Sequence, residues 1–362
     1  MKRIKYIIVI TLTLIMLVGI NAQGENYLFS IDEAQKTAIE NYSQTRIDDL
    51  NIKLKEDTLK HLQEDIHKLG STSTIEGFYN NKIKTLVNPL KAEAALEVAR
   101  MTKQDNIESL KLDVYKTALG LLLAGKELEK ENQKLSFLEE KYKIAKAKYD
   151  ANIITEAYVE DAQYALDGEK ITIGGIEDKI ASYSLGLKKL LNQPLDNEIV
   201  NITDTIKYVA FKNVDIDKAV QDSLQSNTNI YRLTKALEAA EKAMELTKEI
   251  FGEGDSTYDS NSYSLETARL DLEEAKVDLE VNIRNKYNNL LSLKDSVMLA
   301  QTYEGMMNKR LKAAEIRCLE GIINMESLLG EKENYLDAVY QKYLAIYDYN
   351  VAKAEFDNLI SK

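Results

Sequence analysis

Val114, Leu121, Leu128, Leu135, Tyr142 and Tyr149 recur at every seventh position. That spacing keeps all six on one seam of a long helix wound against a partner. No Pro interrupts the stretch from Leu110 to Ile154, and Gly occurs there only at Gly120 and Gly125. The stretch ends in Asp150-Ala151-Asn152-Ile153-Ile154, a turn with two bare aliphatics. The design returns in the second half of the chain at a constant offset. Leu110, Val114, Leu121, Leu122, Leu128, Ala145, Ile153 and Ile154 are answered by Leu279, Ile283, Leu290, Leu291, Val297, Ala314, Ile322 and Ile323. The match lies mostly in apolar pattern, and it predicts two copies of one helical-hairpin unit.

Ser30 is placed as an N-cap before Ile31-Asp32-Glu33-Ala34, with acids in the first turn. The helix breaks near Asn41-Tyr42-Ser43 and resumes over about 44–68, with Ile47, Leu50, Leu54 and Leu62 on or near one stripe. Ile31, Asp32, Ala34 and Ile39 recur as Ile216, Asp217, Ala219 and Leu224, at a larger offset than the one relating the long helices. The second copy is therefore shorter than the first between its first and second helices. In the first copy that connection is Gly70–Pro89, where residues 82–87 alternate weakly enough to suggest one short strand. In the second it is Phe251–Ser262, rich in Gly, Asp and Ser, and reads as a loop. Pro89 suits a first helical turn. The spacing predicts helices over about 89–150, 155–191, 216–250, 263–319 and 322–359, the last with Met325, Leu329, Leu336, Val339, Tyr343 and Ile346 on its seam. The fold class is thus all-α, two repeated long antiparallel hairpins with little or no β-strand. The divisions are a signal peptide at 1–22, the first repeat at 23–197, a linker at 198–214 and the second repeat at 215–362.

Composition changes this picture in three ways. Two Pro, no Trp and 29% charged residues describe rods that bury stripes, not one globular core. Tyr outnumbers Phe by 21 to 6, and Tyr suits a half-wet seam because its ring packs while its hydroxyl stays hydrated. Met-Lys-Arg-Ile-Lys followed by an apolar or uncharged run from Tyr6 to Ile20 reads as a secretory signal, cut near Ala22. No Cys follows that cut, so a lipid-anchored start is not expected. Without Lys2, Arg3 and Lys5 the net charge goes from −12 to −15, which argues against a nucleic-acid partner. Later in the chain no run approaches the about 18 apolar residues of a membrane helix.

Candidate chemistry is sparse. There is no phosphate-binding Gly loop and no nucleophile elbow, so no enzyme and no cofactor are expected. His61 and His67 point away from each other on a helix. Glu64 and His67 make one E-x-x-H pair where a carboxylate-bridged metal centre needs two, so no metal is expected. Cys318, the only Cys, stands in the second copy where Tyr149 stands in the first, and reads as a packing residue. Interleaved acids and bases read as a solvated helix face with i,i+4 pairs; inward acids lining a duct are the other reading. Ile153-Ile154 and Ile322-Ile323 sit at hairpin ends with no core to join. They are either a local staple onto the neighbouring helix or a docking surface for another hairpin, and their recurrence favours docking.

The sequence resembles the TolC family of outer-membrane efflux ducts. The resemblance spans nearly all of the mature chain. It rests on Ile31-Asp32-Glu33-Ala34, on Leu191-Asn192-Gln193-Pro194-Leu195-Asp196 between the repeats, on Leu279 to Leu293, and on the tips Asn152-Ile153-Ile154-Thr155 and Gly321-Ile322-Ile323-Asn324. It implies a homotrimer whose six hairpins close a hollow helical cylinder in the cell envelope. It implies too that the tips dock an adaptor protein linked to an inner-membrane pump, with Asn152, Ile153, Ile154, Thr155, Gly321, Ile322 and Ile323 facing that partner. Family members insert two membrane strands per repeat between the long helices. A spanning strand takes about 9–11 residues, so the short Phe251–Ser262 connection cannot hold two, and the barrel is expected to be absent or vestigial. Relatives place acids after the second tip to close the entrance; here those positions are Ser327 and Gly330, with Glu326 and Glu331 adjacent. The alternative is a non-conducting coiled-coil structural or adaptor-like envelope protein.

Overall fold

The computed structural model describes residues 27–212 and 214–361, so the expected signal peptide lies outside the described residues. Helices α1 (Ile31–Glu40) and α2 (Ser43–His67) open the first copy, followed by α3 (Ile75–Lys82), a π-helical turn (Ile83–Val87), α4 (Asn88–Asp150) and α5 (Glu156–Leu190). The second copy has α6 (Ile216–Ser226), α7 (Thr228–Ile250), α8 (Ser256–Leu319) and α9 (Met325–Ile360). At 63 and 64 residues, α4 and α8 are the two long members, each about 95 Å by the helical rise. Two short strands, β1 (Leu28–Phe29) and β2 (Asn201–Ile202), pair in parallel and tie the start of the first copy to the linker.

The caps explain the helix starts. Ser30 Oγ accepts from the Glu33 amide at 3.2 Å while the Glu33 carboxylate accepts from the Ser30 amide at 2.7 Å, a reciprocal capping box. Asp215, the counterpart of Ser30 in the second copy, caps α6 in the same place, accepting from the amides of Asp217 and Lys218. The expected continuous helix over 216–250 is broken at Asn227, whose side chain accepts from the amides of Asn229 and Ile230 and starts α7. Asn227 thereby repeats the interruption after Asn41, with no Gly or Pro needed. Similarly Asp255 caps α8 two turns earlier than the expected start, leaving a loop of only 251–255.

The segment read as a possible strand is helical. Tyr79, Ile83 and Val87 recur every fourth residue and pack against Ala239, Ala243, Leu246, Ile250 and Phe251. That one-faced burial outweighs the weak alternation of 82–87. The Tyr79 hydroxyl lies 3.1 Å from the buried Thr247 hydroxyl, and the Asn261 amide donates to both, at 2.7 and 2.8 Å. This polar node fastens α3 to α7 and α8. Among the described residues no strand is longer than two residues, in keeping with an absent or vestigial barrel.

The internal duplication is visible in the packing. Val114 and Ile283 are fully buried at the hearts of two separate cores, with Leu121 and Leu290 one heptad further along. The first core closes with Ala34, Ala38, Leu187 and Leu191; the second with Val220, Tyr349 and Phe356. At Gly120 the ring of Tyr183 on α5 approaches so closely that a Cβ would lie 2.5 Å from it, which is why the α4 seam carries a glycine there. Laterally the helices form a strip. In the half bearing α2 and α7 the order is α2–α4–α7–α8; in the hairpin half it is α5–α4–α9–α8. One edge is therefore α2 and α5, and the other is α8.

On α2 the expected stripe is corrected. Its face toward α4 is Asp48, Ile52, Leu59, Leu62 and Ile66, whereas Ile47, Leu50 and Leu54 point outward. Buried Asp48 accepts from the Asn106 amide at 3.0 and 3.2 Å and from Gln44 at 3.1 Å, so a polar residue occupies the inward position.

Candidate docking site at the hairpin tips

Both hairpins turn by the same backbone device. Asn152 and Gly321, at equivalent places in the two copies, hold left-handed φ values of 57° and 73°. The amides of Ile153 and Ile322 each donate 2.8 Å back to the carbonyls of Lys148 and Arg317. Those of Asn152 and Gly321 donate to the carbonyls of Tyr149 and Cys318, which completes a Schellman cap at both tips. In such a cap the residue after the left-handed position normally packs on the residue three before the helix end. Here those partners are Lys148 and Arg317, so no apolar neighbour is supplied. Ile153 is accordingly 70% exposed and Ile322 60% exposed, while Ile154 and Ile323 are half-buried.

The two tips stand side by side. Lys148 in the last turn of α4 pairs at 2.6 Å with Glu326 in the first turn of α9. Arg310 of α8 pairs at 2.7 Å with Glu331 of α9. Glu326 and Glu331, adjacent to Ser327 and Gly330, are thus engaged within the chain, and Ser327 donates its amide to Asn324, the cap of α9. Asn152, Thr155 and Gly321 are exposed. The structure adds members that spacing alone did not reveal: Tyr158 on the first tip, and Ile316, Leu319 and Met325 on the second, are exposed, with Leu319 at 88%. Their signal was present only as bare apolar residues within one turn of each loop. The seam of α4 also fades toward the tip, from buried Val114 and Leu121 to half-buried Leu128, Leu135 and Tyr142 and exposed Tyr149. Cys318 is half-buried.

Midway along the first hairpin the seam holds charge. Glu131 of α4 and Glu169 of α5 are both buried, and Lys134 reaches the carboxylates of both. Lys134 pairs with Glu169 at 2.6 Å and Lys130 with Glu131 at 2.6 Å. Burial pushes the Glu169 carboxyl up, with Glu131 adding to the rise against the pull of Lys134. Burial acts upward on Glu131 as well, but Lys130, Glu169 and Lys134 together hold it below the ordinary carboxylate range. Lys130 also lies 4.8 Å over the Tyr340 ring, and burial pushes that phenol up to about 12.

His61 and Glu64 form a 3.7 Å surface pair, and no group of three or more His, Cys, Asp or Glu suited to a metal occurs among the described residues. No helix among them is long and apolar enough to cross a membrane.

No family model and no curated protein matches the sequence. Solved structures do match. The CmeC outer membrane channel of Campylobacter jejuni superposes with a TM-score of 0.70 at 11% identity, over 91% of this chain and 85% of that one. CusC gives 0.70 at 13% identity over 95% of both chains. The outer membrane protein VceC of Vibrio cholerae gives 0.68 at 11%, over 91% of this chain and 95% of that one. The chain has the TolC fold. The long helices packed in pairs, as read from spacing, are elements of that fold. At these identities the likeness extends to the fold and not to cargo, partner or oligomeric state.

Proposed function

We propose that the protein is a duct component of an envelope export system. It would be exported by its signal peptide and assemble as a homotrimer. Three copies close head to tail into a helical tube, and the tips formed by Asn152, Ile153, Ile154, Thr155, Gly321, Ile322 and Ile323 dock the hairpin of an adaptor that connects it to an inner-membrane pump.

The observation that carries this reading is the pair of greasy edges on a strip that bears the TolC fold. Tyr164 and Ile171 lie exposed on α5, and Ile47, Leu50 and Leu54 on α2; Leu270, Val277, Leu299 and Met306 lie exposed on α8. Stripes on opposite edges of a narrow strip cannot meet within one chain. They meet between chains, and a different edge on each side gives a heterologous contact that ends in a ring or a filament. Bare Ile153 and Ile322 then mark the end of the tube as a surface for further helices.

Electron microscopy of the mature protein tests this: closed rings of three with an open lumen are expected. An elongated monomer at every concentration refutes it. The second reading, a coiled-coil spacer that conducts nothing, draws on the lack of any strand longer than two residues among the described ones. It predicts assembly without a lumen.

A further inference from the structure

Helices α2 and α7 both pack on α4, and between them lies a trench of about 350 Å³. That volume is in the range of small-molecule sites, about 300–1,000 Å³. Its floor is methyl groups: Ala94, Ala95, Val98 and Ala99 of α4, with Ala236 of α7. The floor runs along α4 from Lys91 to Thr102, close to three helical turns.

The rim is cationic. Lys55 of α2, Lys91 of α4, and Arg232 and Lys235 of α7 line it, and no Asp or Glu does. This is a departure from the rest of an acidic chain. Immediately beside the trench, between α2 and α4, Arg100 pairs with Glu56 and Lys103 with Asp49, so those cations are already neutralised. At the trench Lys235 pairs with Glu238 and Arg232 donates to the Asn229 side chain. Lys55 and Lys91 make no ion pair among the described residues. Cations drawn from three helices around one apolar floor repel one another until an anion sits among them.

We infer that this trench binds a long-chain carboxylate, with the alkyl tail along the alanine floor and the head among Lys55, Lys91 and Arg232. Charge complementarity selects the anionic head, and the shape and apolarity of the floor select an unbranched tail over a bulky ring. The site stands on one chain and holds whether or not the ring conducts.

The test is calorimetric titration of the full mature protein with dodecanoate, below its micelle concentration, beside dodecan-1-ol and acetate. One dodecanoate per chain is expected. Dodecan-1-ol should bind about ten-fold more weakly, because it lacks the charge that the rim recognises, and acetate should not bind. K91E/R232E, with both changes at the rim, should weaken dodecanoate at least ten-fold at an unchanged melting temperature. Ala95→Leu fills the floor and should weaken it while leaving the rim intact. Equal binding of dodecanoate and dodecan-1-ol overturns the proposal. So does undiminished binding by K91E/R232E. Dodecanoate bound by the monomer but excluded from the assembled oligomer also overturns it, by making the trench a copy-to-copy face.

Discussion

Replacing Ile171 and Leu299 by Ser probes the two edges on which assembly depends. Ile171 on α5 is 78% exposed and Leu299 on α8 is 72% exposed. Fully burying an Ile or Leu side chain is worth about 1.5–3 kcal/mol. Three quarters of that is about 1–2 kcal/mol per residue, hence about 2–4 kcal/mol for the two that each α5–α8 contact would cover. Each 1.4 kcal/mol is about a factor of ten, so a single contact should weaken by roughly 30- to 1,000-fold. A closed ring of three has three such contacts, so its loss is steeper than that of any one. The monomer should hardly notice, since exposed substitutions stay within about 0.5 kcal/mol. Sedimentation velocity over a concentration series should show trimer giving way to monomer in the double variant, with an unchanged melting temperature once both are monomeric. Ile283→Ala is the control. That side chain is fully buried in the second core, and its truncation should cost about 2–5 kcal/mol of folding stability. If Ile171→Ser/Leu299→Ser sediments as the parent does, the edges are not the mating surfaces and the head-to-tail ring is wrong.

The tips should respond oppositely to the core. Ile153→Ser with Ile322→Ser should leave melting and trimer formation intact, since both side chains are exposed, but abolish cross-linking from photoreactive residues at 152 and 321 to an adaptor hairpin; persistent cross-linking would remove the docking role. Asn261→Ala leaves the Tyr79 and Thr247 hydroxyls short of a donor and should lower stability by about 1–3 kcal/mol, with hydrogen exchange rising first in α3; uniform protection would show that the node does not fasten it. The Glu131–Glu169 pair sets a pH dependence. Glu169 is raised, so its contribution is complete below the ordinary carboxylate value and is lost as pH rises through the raised one. Glu131 is lowered, so its contribution is present above the ordinary value and is lost as pH falls through the lowered one. Glu169→Gln keeps a hydrogen-bond donor without a charge and should flatten the decline of melting temperature on the alkaline side while keeping the decline on the acid side. Parallel curves for the two proteins would show that the Glu169 carboxyl does not set the alkaline decline.

The long-range plan of this fold is legible because heptad seams and their repetition are periodic signals summed over many residues. Val114 and Ile283 stand at the same place in two copies, and each proves to be the centre of a core. Short-range punctuation is harder to read. Asn227 ends one helix and caps the next with nothing but its own side chain, and the 79–83–87 face of the α3 region is too short to outweigh local alternation on paper. Polarity misleads at seam positions as well. Asp48, Glu131 and Glu169 sit inward because a partner reaches each of them, and spacing cannot see partners.

The misassigned stripe of α2 carries more than a lesson about periodicity. This helix has two apolar stripes, one through Ile52, Leu59, Leu62 and Ile66 and one through Ile47, Leu50 and Leu54. One neighbour, α4, covers the first, and none of the described residues covers the second. A helix that is apolar on two faces needs two neighbours. The same holds for α8, which gives one face to α7 and α9 while Leu270, Val277, Leu299 and Met306 point away. An edge helix designed for a monomer would show charge on that outer face, as the exposed turns of α4 do near the tip. Edge helices that are two-faced, like the interior helices with a neighbour on each side, are what a strip requires if its margins are joints between subunits and not ends.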